Sequence, residues 1–256
     1  MRILFVGDVV GRPGRNAVAA LLPALREELH VDVAVVNGEN AAGGAGLTAE
    51  IARELRDAGA DVVTNGNHAW DQRQFMKDID SLDFCVRPVN FAPGNPGRGW
   101  IIAKDVLVIN AIGRTFMTPV DDPFRAVDAV LAEVGDRVRV KLVDWHAEAT
   151  SEKIAIGWHL DGRVSAVVGS HTHVPTADAR IFPRGTAHVT DAGMVGPRDS
   201  VLGIDPAIIV ARFLDGMPRR FEVAGGPVQF NGVLIDVDAE TGLATGIQRV
   251  DREWSA

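Results

Sequence analysis

Short apolar runs alternate with a helical pattern along the first half of the chain. Arg2–Val6, Val31–Val36 and Asp61–Thr64 are β-rich runs that predict buried strands. Between the first two, Asn16–Leu29 places its apolar residues at the spacing of one helical face. This alternation of strands and helices is typical of an α/β fold.

Local signals mark the ends of two predicted helices. Thr48 is suited to cap a helix over Ala49–Asp57, and Gly59 is suited to end it. Pro23 lies within Asn16–Leu29 and conflicts with a continuous helix there, because proline lacks the N–H that an interior position donates. The sequence therefore predicts either a kink at Pro23 or a helix that starts late.

The second half of the chain contains hairpin patterns. Lys104-Asp105 separates Trp100–Ala103 from Val106–Asn110 as a hairpin turn would, and Glu240–Gly242 joins Val228–Val237 to Leu243–Val250. Further helices are predicted over Phe124–Val134, Ser151–Leu160 and Pro206–Leu214, and further strands over Val138–Val143, Val164–Val168 and Thr186–Thr190. We therefore predict two packed sheets with helices outside them, in a single domain over residues 1–256.

The charge of the chain limits its partners. The 256 residues carry a formal net charge of −8. An acidic surface repels long polyanions, so we expect no extended DNA or RNA partner. A small anionic substrate is compatible with this charge if a local positive centre, such as bound metal, outweighs the global field.

No secretory or membrane segment is apparent in the sequence. The apolar run Ile3–Val6 is too short for a signal peptide or a membrane span. Cys85 is the one cysteine, which excludes an internal disulfide, and its apolar neighbours favour a small buried hydrophobe over a catalytic thiol. These features predict a cytoplasmic protein with no membrane partner.

Residues that can bind metal recur where the predicted strands end. The five segments are Gly7-Asp8 after residues 2–6, Asn37–Asn40 after 31–36, Asn65–His68 after 61–64, Asp144–His146 after 138–143, and Gly169–His173 after 164–168. Ligands of α/β folds bind outside the carboxyl ends of the strands, so neighbouring ends would bring these side chains together. The candidate ligands are Asp8, Glu39, Asn67, His146, His171 and His173.

Each candidate has an ordinary structural alternative when it is taken alone. Asp8 is suited to cap a turn, Asn67 to form one, and His146 to be a hydrogen-bonded core histidine. An unpaired carboxylate at Glu39 would be costly after a buried strand. A purely structural explanation must account for all five strand ends separately, and therefore the pattern as a whole favours a metal site.

The mixture of donor types narrows the choice of metal. Three histidines argue against calcium or magnesium, and the absence of suitable cysteines argues against structural zinc. Iron, manganese or catalytic zinc suits a set of nitrogen and oxygen donors. Six or seven ligands are too many for one ion with an open position, so we predict two divalent or trivalent ions per chain, bridged by Glu39.

Two further segments carry weaker signals. Gly7–Arg15 superficially looks like a dinucleotide loop, but its glycine spacing is wrong for one. Arg12 and Arg15 either contact a substrate phosphate or belong to a solvated loop. His188–Pro197 is rich in turn formers, and we interpret it as a structural turn. The alternative is that His188 and Asp191 contact the metal ligands and support them.

The motifs resemble the calcineurin-like metallophosphoesterases, and more closely their YmdB-type branch, whose members are described as 2′,3′-cyclic-nucleotide phosphodiesterases. The resemblance covers nearly the whole chain and is carried by Gly7–Arg12, Asn37–Asn40, Gly66–Asp71, Asp144–Lys153, Gly169–His173 and Thr190–Pro197. It implies a four-layer fold in which two mixed sheets are sandwiched between helices.

The same resemblance implies how the ligands divide between two ions. The superfamily pattern opens with Asp-x-His, whereas this chain has Asp8-Val9-Val10. Asn40 then takes the place of the missing histidine. One ion would be held by Asp8, Glu39, Asn40 and His173, and the other by Glu39, Asn67, His146 and His171.

Three classes of function fit the predicted site. The favoured class is a phosphodiesterase for small substrates such as 2′,3′-cyclic nucleotides, in which a hydroxide bridging the metals attacks phosphorus. His68 would donate a proton to the leaving oxygen, and Asp71 either orients His68 or caps a helix. The alternatives are a phosphomonoesterase acting on nucleotides or phosphoproteins, and a non-catalytic metal-binding protein with a regulatory or RNA-associated role.

The sequence leaves the oligomeric state open. Residues 193–204 combine apolar side chains with glycines and prolines. This segment is either an exposed contact loop of a homo-oligomer or packs on the core of its own chain.

Overall fold

Two mixed β-sheets packed face to face form the centre of the computed structural model, which describes residues 1–255. The strands of these residues are β1 (Arg2–Val6), β2 (Asp8–Val9), β3 (Val33–Asn37), β4 (Val62–Thr64), β5 (Trp100–Ala103), β6 (Val106–Ile112), β7 (Val140–His146), β8 (Ala166–Ser170), β9 (Arg180–Ile181), β10 (Ala187–Val189), β11 (Met194–Pro197), β12 (Val228–Val237) and β13 (Ala244–Trp254). The α-helices are α1 (Gly11–Glu28), α2 (Ala49–Asp57), α3 (Phe75–Asp78), α4 (Pro123–Val134), α5 (Thr150–Leu160) and α6 (Pro206–Asp215).

Parallel strands occupy the middle of both sheets. The seven-stranded sheet has the order β2-β11-β12-β1-β3-β4, with β13 also paired to β12. In it, β1, β3 and β4 are parallel neighbours. The six-stranded sheet has the order β5-β6-β7-β8-β10-β9, with β6, β7, β8 and β10 parallel. The carboxyl ends of parallel neighbours lie at the same edge of each sheet.

Alternate residues of the strands face different layers of the core. In β1, Ile3 and Phe5 belong to the apolar cluster between the sheets, whereas Leu4 and Val6 belong to the cluster beneath α1 and α2. The outer face of the second sheet packs on α4 and α5. The resulting order is helix, sheet, sheet, helix, and it confirms the predicted fold class.

The first helix differs from its prediction. It begins at Gly11, earlier than the predicted Asn16, and continues through Pro23 to Glu28. The Gly11 N–H donates to Asn40 O at 2.9 Å, so the start of the helix is held by a distant loop. Pro23 lies on the exposed side of α1, where water can hydrogen-bond to the helix carbonyl that proline leaves without a donor. The helix therefore continues through Pro23 and does not start after it.

Several local predictions are confirmed. Thr48 Oγ1 accepts from the Ile51 N–H at 3.2 Å and caps α2. Lys104 and Asp105 both have left-handed φ values, 47° and 63°, as a tight hairpin turn between β5 and β6 requires.

The prediction of a turn over the whole of His188–Pro197 was wrong, since Met194–Pro197 is the strand β11.

No helix within residues 1–255 combines the length and apolar character that crossing a membrane requires. The extent of the domain, predicted as residues 1–256, stays a prediction and includes Ala256, which lies outside the described residues.

Candidate metal centre

The predicted ligands converge at one edge of the two sheets. Asp8 follows β1, and Glu39 follows β3 by two residues. His146 is the last residue of β7, because this strand continues past its predicted end at Val143. His171 comes directly after β8. The strand ends therefore meet as expected, with Asp8 and Glu39 at the edge of one sheet and His146 and His171 at the edge of the other.

One group of donors surrounds His146 Nε2. Glu39 Oε1 lies 3.1 Å from this nitrogen, Asn67 Oδ1 3.0 Å and His171 Nδ1 3.1 Å. His146 and Glu39 are buried. Four atoms with lone pairs at such short separations are typical of ligands around one cation.

A second group of donors shares Glu39 with the first. It contains Asp8, Glu39 and His173, and each can offer an atom within 4.8 Å of the others. Asn40 Oδ1 lies 3.2 Å from His173 Nε2, which places this amide oxygen beside the same group. Because Glu39 belongs to both groups, its position is that of a bridging carboxylate.

The buried carboxylate of Asp8 indicates whether the donor residues fit a metal ion. Asp8 is 0% exposed, and its Oδ1 atom has no hydrogen-bond partner within residues 1–255. A buried carboxylate oxygen without a donor is costly unless a cation neutralises it. His173 Nε2 is 3.9 Å from this oxygen, so a cation between the two would have a ligand on each side. The donor set therefore fits metal.

The electrostatics of the group also favour added positive charge. Burial alone would raise the pKa of Glu39, but its charge interaction and hydrogen bond with His146 outweigh burial and lower the pKa to about 2. Burial raises the pKa of Asp8. Burial and the positive charge of His146 lower the pKa of His171 to about 3, so this imidazole is neutral. Burial would also lower the pKa of His146, but the neighbouring carboxylates of Glu39, Asp8 and Asp144 outweigh burial and raise this pKa to about 9, so a cation bound here would displace the His146 proton.

Contacts behind the donors fix the orientation of their rings. Ser170 Oγ donates to Asp144 Oδ1 at 2.6 Å and lies 2.9 Å from His146 Nδ1, which leaves Nε2 to face the donor group. Glu148 Oε2, 3.1 Å from His171 Nε2, holds that ring with Nδ1 inward. The sequence interpretation missed Ser170 and Asp144, although a carboxylate in a buried apolar strand was a usable signal.

The two histidines of the His-Thr-His turn adopt unusual backbone conformations. His171 has φ 101° and His173 has φ 63°, both in the left-handed region. His173 Nδ1 lies 3.0 Å from Leu202 O, and the His171 N–H donates to Asp8 Oδ2 at 3.2 Å. Strained conformations of this kind persist where surrounding contacts hold them, and they concentrate at functional sites.

Gly66 allows the closest approach in the site. A Cβ atom at this position would overlap Glu39 Oε2 and His146 Nε2. Only glycine can therefore stand between these two side chains and Asn67.

His68 lies beside the donors without belonging to either group. Its main-chain N–H donates to Glu39 Oε2 at 3.2 Å, and its Nδ1 atom lies 2.8 Å from Asp71 Oδ2. The side chain is 37% exposed and lines a cavity of about 430 Å³ together with Glu39, His171 and His173. Asp71 thus contacts His68 and does not cap the next helix, whose N-cap is Gln74.

The structure separates the predicted arginines from this cavity. Arg15 Nη1 donates to Ala41 O at 2.7 Å, and Arg15 Nε lies 3.0 Å from Glu54 Oε2 in a groove between α1 and α2. Arg12 is exposed on the first turn of α1. Neither is among the described residues that line the cavity.

The sequence suggests His188 and Asp191 as residues that support the metal ligands, as an alternative to a structural turn, and of these two only Asp191 contacts the site. Its Oδ2 atom accepts from Thr172 Oγ1 at 2.8 Å, between His171 and His173. His188 is buried in β10, and neither ring nitrogen has a hydrogen-bond partner within residues 1–255.

Comparison with known proteins shows similarity over nearly the whole chain. A family model described as "YmdB-like protein" matches residues 4–250. A relative from Bacillus subtilis (strain 168), named 2′,3′-cyclic-nucleotide 2′-phosphodiesterase, is 50% identical over 254 residues, or 98% of this chain and 96% of the relative.

Two crystal structures are similar along their full length. A hypothetical protein from Thermus thermophilus superposes with a TM-score of 0.92 at 43% identity and covers 99% of each chain. A novel phosphatase from Mycoplasma pneumoniae superposes with a TM-score of 0.93 at 33% identity, covering 99% of this chain and 93% of that one. The similarity therefore includes both sheets and is not limited to the loops that carry the donors.

Proposed function

The chain belongs to the YmdB-like family, and from this premise we propose that it is a metal-dependent phosphodiesterase that hydrolyses 2′,3′-cyclic nucleotides. The observation that carries the proposal is the pair of donor groups that share Glu39 and open into the cavity lined by His68. A dinuclear site of this kind suits hydrolysis of phosphate esters.

We assign the ligands by their positions in the two groups. Asp8, Glu39, Asn40 and His173 would hold one ion, and Glu39, Asn67, His146 and His171 the other. Iron or manganese suits these nitrogen and oxygen donors, with zinc as the alternative. When bound, such ions supply Lewis acidity that activates water and neutralises charge on the phosphoryl oxygens.

Side chains of the protein supply a proton to the leaving oxygen and orient the group that donates it. Water adds to phosphorus and releases one proton, the bond from phosphorus to the 2′ oxygen breaks, and this oxygen takes a proton from His68 Nε2, which leaves a 3′-phosphate. The proton released by the water restores the proton of His68. Asp71, at 2.8 Å from His68 Nδ1, fixes the ring so that Nε2 faces the cavity. Arg12 and Arg15 stay predictions as phosphate ligands, and their positions on α1 give them no support.

Other properties follow the same proposal. A small anionic phosphodiester is the partner that fits the cavity, and the net charge of −8 disfavours a long nucleic acid. The buried thiol of Cys85 is compatible with the reducing cytoplasm, where we place the protein. A homo-oligomer stays an open prediction.

A substrate panel tests the proposal. The protein loaded with manganese or iron is assayed on adenosine 2′,3′-cyclic phosphate and on adenosine 3′-monophosphate, before and after chelation. We expect metal-dependent turnover of the cyclic diester with 3′-phosphate as the product. Faster hydrolysis of the monoester would establish a phosphomonoesterase instead, and metal binding without any turnover would establish a non-catalytic protein.

A further inference from the structure

The cavity that contains the donors has one apolar wall. Leu202, Ile204 and Phe221 line the cavity together with His68, and Leu202 and Phe221 are 45% and 42% exposed. Exposed apolar side chains that adjoin one another in a groove are a common feature of ligand-binding sites. The wall is therefore a candidate for contact with an apolar part of the substrate.

Hydrogen bonds fix this wall relative to the donors. Leu202 O lies 3.0 Å from His173 Nδ1. The Ala224 N–H donates to Gly203 O at 2.9 Å and the Asp205 N–H to Glu222 O at 2.9 Å, so the segment that carries Phe221 is tied to the segment that carries Leu202. The guanidinium of Arg212 lies 4.9 Å from the centre of the Phe221 ring and holds it in a cation–π contact.

We propose that Leu202, Ile204 and Phe221 form a nucleobase subsite, with the base stacked on the ring of Phe221. This inference rests on the proposed function. In a 2′,3′-cyclic nucleotide the 2′ oxygen and the base are attached to neighbouring carbons of the ribose. If His68 protonates the 2′ oxygen, the base would lie in or beside the cavity that His68 lines, and Phe221 is the phenyl ring among the residues that line it.

One glycine that lines the cavity, Gly43, borders open space. A Cβ atom at Gly43 would meet no other atom within 4 Å. A second cavity, of about 530 Å³, holds Trp70 and Phe91 and is reached by Asn67. His68 does not line it, and its two aromatic rings pack on each other with centroids 5.9 Å apart. A base in that cavity would therefore lie outside the cavity that His68 lines.

Phe221→Ala tests the subsite when two substrates are compared. For adenosine 2′,3′-cyclic phosphate we expect kcat/KM to fall about tenfold or more, mainly through KM, because stacking on an aromatic side chain is lost. For ribose 2′,3′-cyclic phosphate, which has no base, we expect a change of less than about twofold. Phe221→Trp should retain the activity on the nucleotide.

Product inhibition gives a second readout of the same subsite. The inhibition constant of adenosine 3′-monophosphate should rise about tenfold in Phe221→Ala, whereas that of inorganic phosphate should stay unchanged. Stacking accepts any base, so the cyclic phosphates of all four nucleosides should have similar KM values.

Two control variants separate the rival explanations. Phe213→Ala removes a ring that is 85% exposed and outside the cavity, and Phe91→Ala alters the second cavity. Equal losses on both substrates in Phe221→Ala would overturn the inference, as would the nucleotide-specific loss appearing in Phe91→Ala. A change in molecular mass shared by Phe221→Ala and Phe213→Ala would also overturn it, and would identify the wall as a contact with a second copy. If the wild-type protein hydrolysed neither substrate, the proposed function itself would fail.

Discussion

Lys153 Nζ lies 2.6 Å from Asp191 Oδ2, and both side chains are buried behind the His-Thr-His turn. Lys153 also donates to Ser170 O at 2.7 Å, next to His171. Asp191 accepts from the Thr172 N–H at 3.1 Å. The ion pair therefore joins α5, the end of β8 and the turn that carries two candidate ligands.

Removal of one partner of this ion pair should destabilise the protein and loosen the metal site. Lys153→Met leaves a buried carboxylate unpaired, for which we expect a loss of about 3–5 kcal/mol in the free energy of unfolding, measured with urea. Metal affinity should fall with it, because the turn from His171 to His173 loses a support. The double change Lys153→Met with Asp191→Leu should recover part of the stability but not the affinity. Recovery of both would show that the ion pair does not position the turn.

His68→Ala separates proton donation from metal binding. We expect kcat to fall about 10²- to 10⁴-fold, the range of general acid–base catalysis, with unchanged metal content by elemental analysis. Asp71→Asn keeps a hydrogen-bonding group near His68 and should cost about 10- to 100-fold. Near-normal turnover in His68→Ala would remove this residue from the proposed mechanism.

The two donor groups should respond separately to loss of a ligand. Under the proposed assignment, Asp8→Asn should lower occupancy of the ion that His173 would also hold, and His146→Ala that of the other ion. His159→Ala is the matched control, because this imidazole pairs with Asp128 on the surface at 3.0 Å, away from the cavity. Elemental analysis after dialysis measures the metal content. Full occupancy of both ions in Asp8→Asn and His146→Ala would contradict the assignment.

Asp61 should contribute a pH-dependent part of the stability. Burial would raise its pKa, but hydrogen bonds from Lys104, Arg26 and the Ala34 N–H outweigh burial and lower it. A lowered folded-state pKa means that the contribution is present above the ordinary pKa of aspartate and is lost as pH falls through the folded-state value. Asp61→Asn should cost about 1 kcal/mol near pH 7 after solvent screening, and the difference should vanish in acid. An unfolding difference that stays constant down to low pH would contradict this origin.

Some elements follow from neighbouring residues alone. The helix after Thr48 and the hairpin at Lys104-Asp105 were predicted because capping and turn formation depend on residues a few positions apart. The strands β2 and β11 were missed, since they are short and pair segments that are far apart in the chain. The early start of α1 has the same cause, because Asn40 holds its first turn.

The sequence alone determined which strand ends carry donor atoms, because an apolar run followed by a polar residue is a local pattern. The division of these ends between two sheets, the sharing of Glu39 by both donor groups, the Lys153–Asp191 ion pair and the apolar wall at Phe221 were decided only by tertiary structure. Each depends on which distant segments pack against each other, and that choice comes from burial summed over the whole chain. No spacing within one segment encodes it.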